Sequence, residues 1–376
     1  MNGPSRLARL LGYLESDPEN LPLLEDAANA ALDESALEEA SDLITRYRAI
    51  AEPPPGLVNI EGVVAMRSGD YARARTAFEA LRAAGHDHPA VRFNLAWLSA
   101  LEGRFADVLE MTDDAVIEAV PRAAALKVQA MHHLGDIEGA VELGRQLLDR
   151  LPEDDALLGA LSVAAMDADD YALAAELAGR AKGGADALTT RGLVALNEDD
   201  PARAIHLFDN ALTEHPDAPR AWLGMGLGLL ASGDADGAAP CLEKGAAIFG
   251  DHLGSWIAAG WAQFLRGDLA AARRNFETAL KHDENFAETH GALAVLDLAE
   301  GKIDSARRRT DIALRLDKEC FGGALARTML LEMQGKPELA ERIRNRVLNL
   351  PAGVDGKTLA QAITGLGITR NGRRRH

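Results

Sequence analysis

The chain has 376 residues, of which 47% are hydrophobic, 26% charged and only 5% aromatic, and its formal net charge is −18. This is the composition of a folded protein that leans away from a β-sandwich and toward helix, because Ala, Leu, Glu, Asp and Arg run through the whole length. A net-acidic surface disfavours phosphate backbones and anionic membranes, so nucleic acid is a poor partner and a basic or apolar polypeptide a better one.

The start, MNGPSRLARLLGYLESDPEN, has no continuous apolar segment and no small-residue cleavage site before Asp17 and Glu19. It therefore does not read as a secretory leader. The first 16 residues are expected to form a capping helix, with Arg6, Arg9 and Glu15 on its polar side. Residues 21–51 look like a degenerate repeat unit. Pro53, Pro54 and Pro55 then set a firm boundary, since proline cannot continue a helix.

From there a short element recurs: Gly or Asp, often an acidic residue next, and a small residue five positions after the first. It appears as GDYARA at Gly69, GRFADV at Gly103, GDIEGA at Gly135, DDYALA at Asp169 and DDPARA at Asp199. It returns as GDADGA at Gly233, GDLAAA at Gly267, GKIDSA at Gly301 and GKPELA at Gly335. The intervals are 34, 32, 34, 30, 34, 34, 34 and 34 residues. Two apolar-periodic stretches of about a dozen residues flank each turn, which predicts a helix hairpin per repeat. Glycine accepts the left-handed conformation that ends a helix. Asp70, Asp136, Asp234 and Asp268 are placed to cap the helix that follows. Ala74, Ala140, Ala174, Ala204, Ala238, Ala272, Ala306 and Ala340 fall where two helices must approach closely, and Val108 is the one bulky departure.

These residues resemble the tetratricopeptide repeat family over roughly residues 55–351. Trp222 and Trp256 match its opening aromatic, and Gly226 and Gly260 its small position, which Gly62, Ala96 and Gly192 fill in other units. Phe78, Phe208 and Phe276 match the aromatic of the second helix, and Pro152 and Pro216 the closing proline. The resemblance implies an all-α fold, a right-handed superhelical solenoid of about ten antiparallel helix hairpins. The expected organisation is a cap and degenerate repeat over 1–52, a first half of the array over 53–184 and a second half over 185–351. A capping helix and a disordered basic tail (Arg370, Arg373, Arg374, Arg375) would follow over 352–376. The unit beginning near Asp155 is four residues short and runs into Gly183–Gly184, where a bend between the halves is expected.

In the family the first helix of each hairpin lines a concave groove that holds a partner. Carried onto this chain, the positions facing that groove include Asn59, Met66, Arg67, Phe93 and Trp97, then Arg122, Gln129 and Met166. In the second half they include Leu193, Arg220, Leu227, Ile257, Trp261, Phe264, Val295, Leu298 and Met329. Trp97 and Trp261 are the strongest candidates. The family's carboxylate clamp of Lys, Asn and Arg is not matched: Asn59 and Asn94 lie near suitable positions, but the lysines are absent. A lining of Trp, Phe, Leu and Met suits a helical or extended segment with apolar anchors instead. Plain packing against neighbouring repeats is the competing account of the same residues.

No nucleophile elbow, phosphate loop or HExxH occurs, so no catalytic residue is assigned and the protein reads as non-enzymatic. Cys241 and Cys320 have neither disulfide nor zinc spacing and read as reduced. His86, His88, His132 and His133 read as surface residues, and no metal or cofactor is implied. The longest uncharged run, Leu253 to Leu265, is shorter than the roughly 18 residues a membrane span needs. The resulting expectation is a cytoplasmic scaffold or adaptor. The alternatives are a factor that self-associates through its ends or basic tail, and a regulatory subunit of a larger complex.

Overall fold

A computed structural model describes residues 4–348. The expected helix over Lys357–Ile363 and the basic tail lie outside the described residues. Among those residues there are helices and no strands. The capping helix α1 (Arg6–Ser16) is followed by the hairpins α2 (Leu21–Asp33) and α3 (Leu37–Ile50), then α4 (Pro55–Arg67) and α5 (Tyr71–Ala83). In the next hairpin α6 (Pro89–Leu101) is followed by two short pieces, α7 (Phe105–Met111) and α8 (Asp114–Ala119). Then come α9 (Ala123–His133) with α10 (Ile137–Arg150), and α11 (Asp155–Asp167) with α12 (Tyr171–Arg180). The series continues as α13 (Ala185–Asn197) with α14 (Pro201–Glu214), α15 (Pro219–Ala231) with α16 (Ala235–Phe249), and α17 (Leu253–Leu265) with α18 (Leu269–His282). It ends with α19 (Ala287–Ala299) and α20 (Ile303–Leu316), then α21 (Phe321–Met333) and α22 (Pro337–Leu348). The described helices thus make ten hairpins behind a cap. The chain divides into two compact units between Ala164 and Ala165, inside α11.

The nine recurring turns share one backbone solution. Each turn residue has φ between 59° and 84°, including Asp169 and Asp199, where aspartate replaces glycine. Where an aspartate follows the turn residue, it caps the second helix. Asp70 accepts from the Arg73 amide at 3.1 Å, Asp136 from Gly139 at 3.1 Å, Asp234 from Gly237 at 2.9 Å and Asp268 from Ala271 at 2.9 Å. A left-handed residue ends one helix and a carboxylate starts the next, so the reversal takes few residues.

The small positions are small because a ring sits against them. A Cβ built on Gly62 would lie 2.6 Å from Cε1 of Phe78, and one on Gly192 2.6 Å from Cε1 of Phe208. Gly260 faces Phe276 in the same way. All three phenylalanines are fully buried, as are the alanines after each turn. Core formation is therefore local: three hairpins close on one phenylalanine each, α15 and α16 close through Leu242 against Gly226, and neighbouring hairpins share the remaining apolar surface.

Polar stitching repeats as well. Arg75 on α5 meets Glu102 at the end of α6 at 3.2 Å, and Arg273 on α18 meets Glu300 just after α19 at 2.8 Å. Arg273 also reaches Asp297 at 2.6 Å, and Arg309 on α20 reaches the same buried carboxylate at 3.2 Å. Glu61 on α4 is held between Arg48 and Arg73 at 2.6 and 2.9 Å. Buried carboxylates persist only when paired in this manner.

One repeat departs from the expected pattern. The second helix after Gly103 does not run for a dozen residues but stops at Met111. Thr112 turns its hydroxyl back to the Val108 carbonyl at 2.7 Å, and Asp113 accepts from the Val116 amide at 3.0 Å, starting a new helix. Arg92 on α6 pairs with Asp113 at 2.8 Å and fixes the break. Hydrogen bonds from the Val116 amide and from Arg92 hold the Asp113 carboxyl below the usual aspartate range.

Candidate partner-binding site

All eleven sequence-selected residues lie on first helices and all are half-buried. In the first unit these are Asn59 on α4, Phe93 and Trp97 on α6, and Gln129 on α9. In the second they are Met166 on α11, Leu193 on α13, Arg220 and Leu227 on α15, Trp261 and Phe264 on α17, and Met329 on α21.

The first unit brings three of them together. A cavity of about 510 Å³ is lined by Met66 and Arg67 of α4, Phe93 and Trp97 of α6, Ala125, Leu126 and Gln129 of α9, Arg122 at its N-terminus, and Ala156 of α11. Four successive first helices thus contribute one wall each. The hairpin repeat makes this possible, because these four first helices follow one another at a regular interval within the first unit. Leu126, Ala125 and Ala156 were not singled out from sequence. Leu126 and Ala125 lie one helical turn before Gln129, so the 3.6-residue period was the available signal. Asn59 is not among the lining residues.

The four tryptophans fall into two classes. Trp222 donates its indole N–H to the Pro216 carbonyl at 2.8 Å, and Trp256 donates to the Gly250 carbonyl at 2.6 Å. Lys244 covers the Trp222 ring at 4.1 Å. These two rings brace their own hairpins. Trp97 and Trp261 donate to no acceptor among the described residues, although buried indoles usually find one. Tyr71 meets the Trp97 ring edge-on at 6.0 Å and leaves the rest of it on the cavity wall.

The second unit uses its candidates differently. Trp261 is wedged between Phe264 and Phe276, with ring centroids 5.6 and 5.4 Å away. Trp261, Phe264 and Met329 pack on the cluster of Ala294, Val295 and Leu330. Leu193 packs beside Phe208 and Met225, and Leu227 beside Leu242. Arg220 is bound by Asp167, its Nη1 donating to Oδ1 at 3.0 Å. Ile257, Val295 and Leu298, which the repeat positions placed on the groove, are buried core residues. The packing account therefore covers much of the second unit, whereas the first keeps an open apolar recess.

Burial raises the Cys320 thiol, with the neighbouring Glu288 carboxylate adding to it, and burial likewise raises Cys241. Both rest as thiols, the unreactive form. His133 stacks on Phe105 at 4.2 Å. Among the described residues no group of three or more His, Cys, Asp or Glu is placed to hold a metal ion, and no helix is long and apolar enough to cross a membrane.

Comparison with known proteins agrees with this architecture. The sequence description of the tetratricopeptide repeat matches residues 61–124 and 189–252, and a second description of the same repeat matches 263–320. Tetratricopeptide repeat protein 8 of Caenorhabditis elegans is 30% identical over 109 residues, which are 28% of this chain and 22% of that protein. The aligned region is thus under a quarter of that relative's length. Among solved structures, the APC/C hetero-tetramer Cut9–Hcn1 superposes with a TM-score of 0.51 at 11% identity, covering 86% of each chain. A monomeric IFIT1 mutant with m7Gppp-AAAA gives 0.50 at 13% identity, covering 91% of this chain and 93% of that one. These likenesses concern the fold alone. Nine left-handed turns at a period near 34, the ring-on-glycine hairpin closure and the matched repeat segments together make this chain a member of the tetratricopeptide repeat family.

Proposed function

We propose that the protein is a non-enzymatic interaction scaffold that holds a helical or extended segment of a partner protein by apolar anchors. The observation that carries this reading is the recess in the first unit, where the half-buried rings of Phe93 and Trp97 line an opening whose wall is drawn from four consecutive first helices. Apolar surface that folding leaves open, with an aromatic residue that keeps a free donor, is the usual make-up of an interface hot spot.

Recovery of partners from native lysate on immobilised full-length protein, read by mass spectrometry, tests the reading. A polypeptide recovered by wild type and by Trp222→Phe, but lost from Trp97→Ala while circular dichroism is unchanged, is the expected result. Equal recovery by Trp97→Ala would make that ring a packing residue and move the site elsewhere on the molecule.

A further inference from the structure

The recess differs in charge from the protein around it. The whole chain carries −18, yet no carboxylate lines the cavity, and two arginines do. Several arginines elsewhere in the same unit are bound to acids: Arg48 and Arg73 to Glu61, Arg75 to Glu102, and Arg92 to Asp113. Arg67 and Arg122 are exposed and make no ion pair among the described residues, and Arg67 has only a long contact from Nη1 to the Leu32 carbonyl at 3.4 Å. The Trp97 indole adds a donor without an acceptor among the described residues. Beside these donors lie the apolar groups of Met66, Phe93 and Leu126.

Resting on the scaffold reading above, we propose that this recess selects a partner segment in which an aliphatic or aromatic side chain is flanked by Asp or Glu. The apolar side chain enters between Phe93, Trp97 and Leu126, and the neighbouring carboxylate accepts hydrogen bonds from Arg67 or Arg122. Unpaired guanidinium groups beside low-dielectric apolar surface favour a carboxylate more than the same groups in open water. A volume of about 510 Å³ accommodates one or two side chains, not a folded surface. The local charge also reverses the expectation drawn from the net charge: a basic segment is repelled at this recess even though the chain as a whole attracts it.

The test is selection of phage-displayed random dodecapeptides on three full-length proteins: wild type, Arg67→Glu/Arg122→Glu, and Trp97→Ala, each checked by circular dichroism. Wild type is expected to enrich peptides that pair an apolar residue with Asp or Glu. A synthetic copy of such a peptide should lose about tenfold or more in affinity on the double charge reversal and on Trp97→Ala, the scale of a hot-spot contact. It should also bind more weakly as salt is raised. The double reversal should in turn enrich Lys or Arg beside the same apolar anchors. Peptides that need Trp97 but ignore the charge reversal would overturn the acidic preference and leave the scaffold reading standing. Enriched peptides indifferent to both changes would sink both. Guanosine triphosphate, and no acidic peptide, protecting wild type but not Trp97→Ala from tryptophan modification would assign the recess to a nucleotide and overturn the proposal.

Discussion

Arg220, in the first turn of α15, holds Asp167, the last residue of α11, through two parallel hydrogen bonds although 53 positions separate them. The four-residue shortening between the turns at Asp169 and Asp199 falls between these two residues in the chain. Arg220, one of the positions the repeat places on the groove, is ion-paired within the second unit. Both side chains are partly exposed, so the pair is worth about 1 kcal/mol rather than the several expected of a buried one. A double-mutant cycle of Arg220→Ala and Asp167→Ala, followed by urea denaturation, should return a coupling of that size. A coupling near zero would show that the two groups do not depend on each other.

Hairpin closure on a ring predicts opposite outcomes for two glycine substitutions. Gly62→Ala forces a methyl group into the buried ring of Phe78 and should destabilise by about 1–3 kcal/mol. Gly12→Ala, within α1 and with nothing near its Cβ, should stabilise by about 0.5–1 kcal/mol through helix propensity. Thermal unfolding of both variants decides it. Equal effects of the same sign would mean that contact with Phe78 does not set the requirement at position 62.

Asp199 holds a left-handed conformation, φ 59°, that costs an L-residue roughly 1–2 kcal/mol. Glycine removes that strain but loses more backbone entropy on folding, leaving a net gain of about 0.5 kcal/mol. Asp199→Gly should therefore raise the denaturation midpoint slightly, while Gly233→Asp at the equivalent turn should lower it. A lowered midpoint for Asp199→Gly would show that the aspartate side chain contributes more than its backbone costs.

These outcomes also mark what the sequence makes legible. Period and turn chemistry are local, so all nine reversals could be read, including the two in which aspartate takes the place of glycine. The break after Met111 could not be read with the same ease. Thr112 and Asp113 carry the signal, but Arg92, 21 residues earlier, is what fixes Asp113 in its cap. The recess is a mixed case. Repeat position placed Phe93, Trp97 and Gln129 on one face, and it gave the second unit's residues the same status. Only packing separates them: Trp261 is enclosed by Phe264 and Phe276, whereas Trp97 faces an opening.

The pH response follows from Glu300. Hydrogen bonds from Arg273 and Lys302 hold its carboxyl below the ordinary glutamate value, about 4.3. A carboxyl with a lowered folded value adds stability that is complete above that ordinary value and is lost as pH falls through the folded one. Wild type should therefore be more stable than Glu300→Gln at pH 7, and the difference should shrink as pH falls below about 4.3. Urea midpoints at several pH values give the comparison. A difference that stays constant into acid would mean that ionised Glu300 is not the source of the stabilisation.

The most direct test of the central claim is site-specific photo-crosslinking in native lysate. Para-benzoylphenylalanine replaces Phe93 in the recess and, separately, Thr76 on the exposed side of α5, and the adducts are identified by mass spectrometry. The account predicts a discrete polypeptide adduct from position 93, abolished by adding Trp97→Ala, and none from position 76. Adducts from position 76 with none from position 93 would contradict it, placing the partner on the second helices and leaving the recess unused.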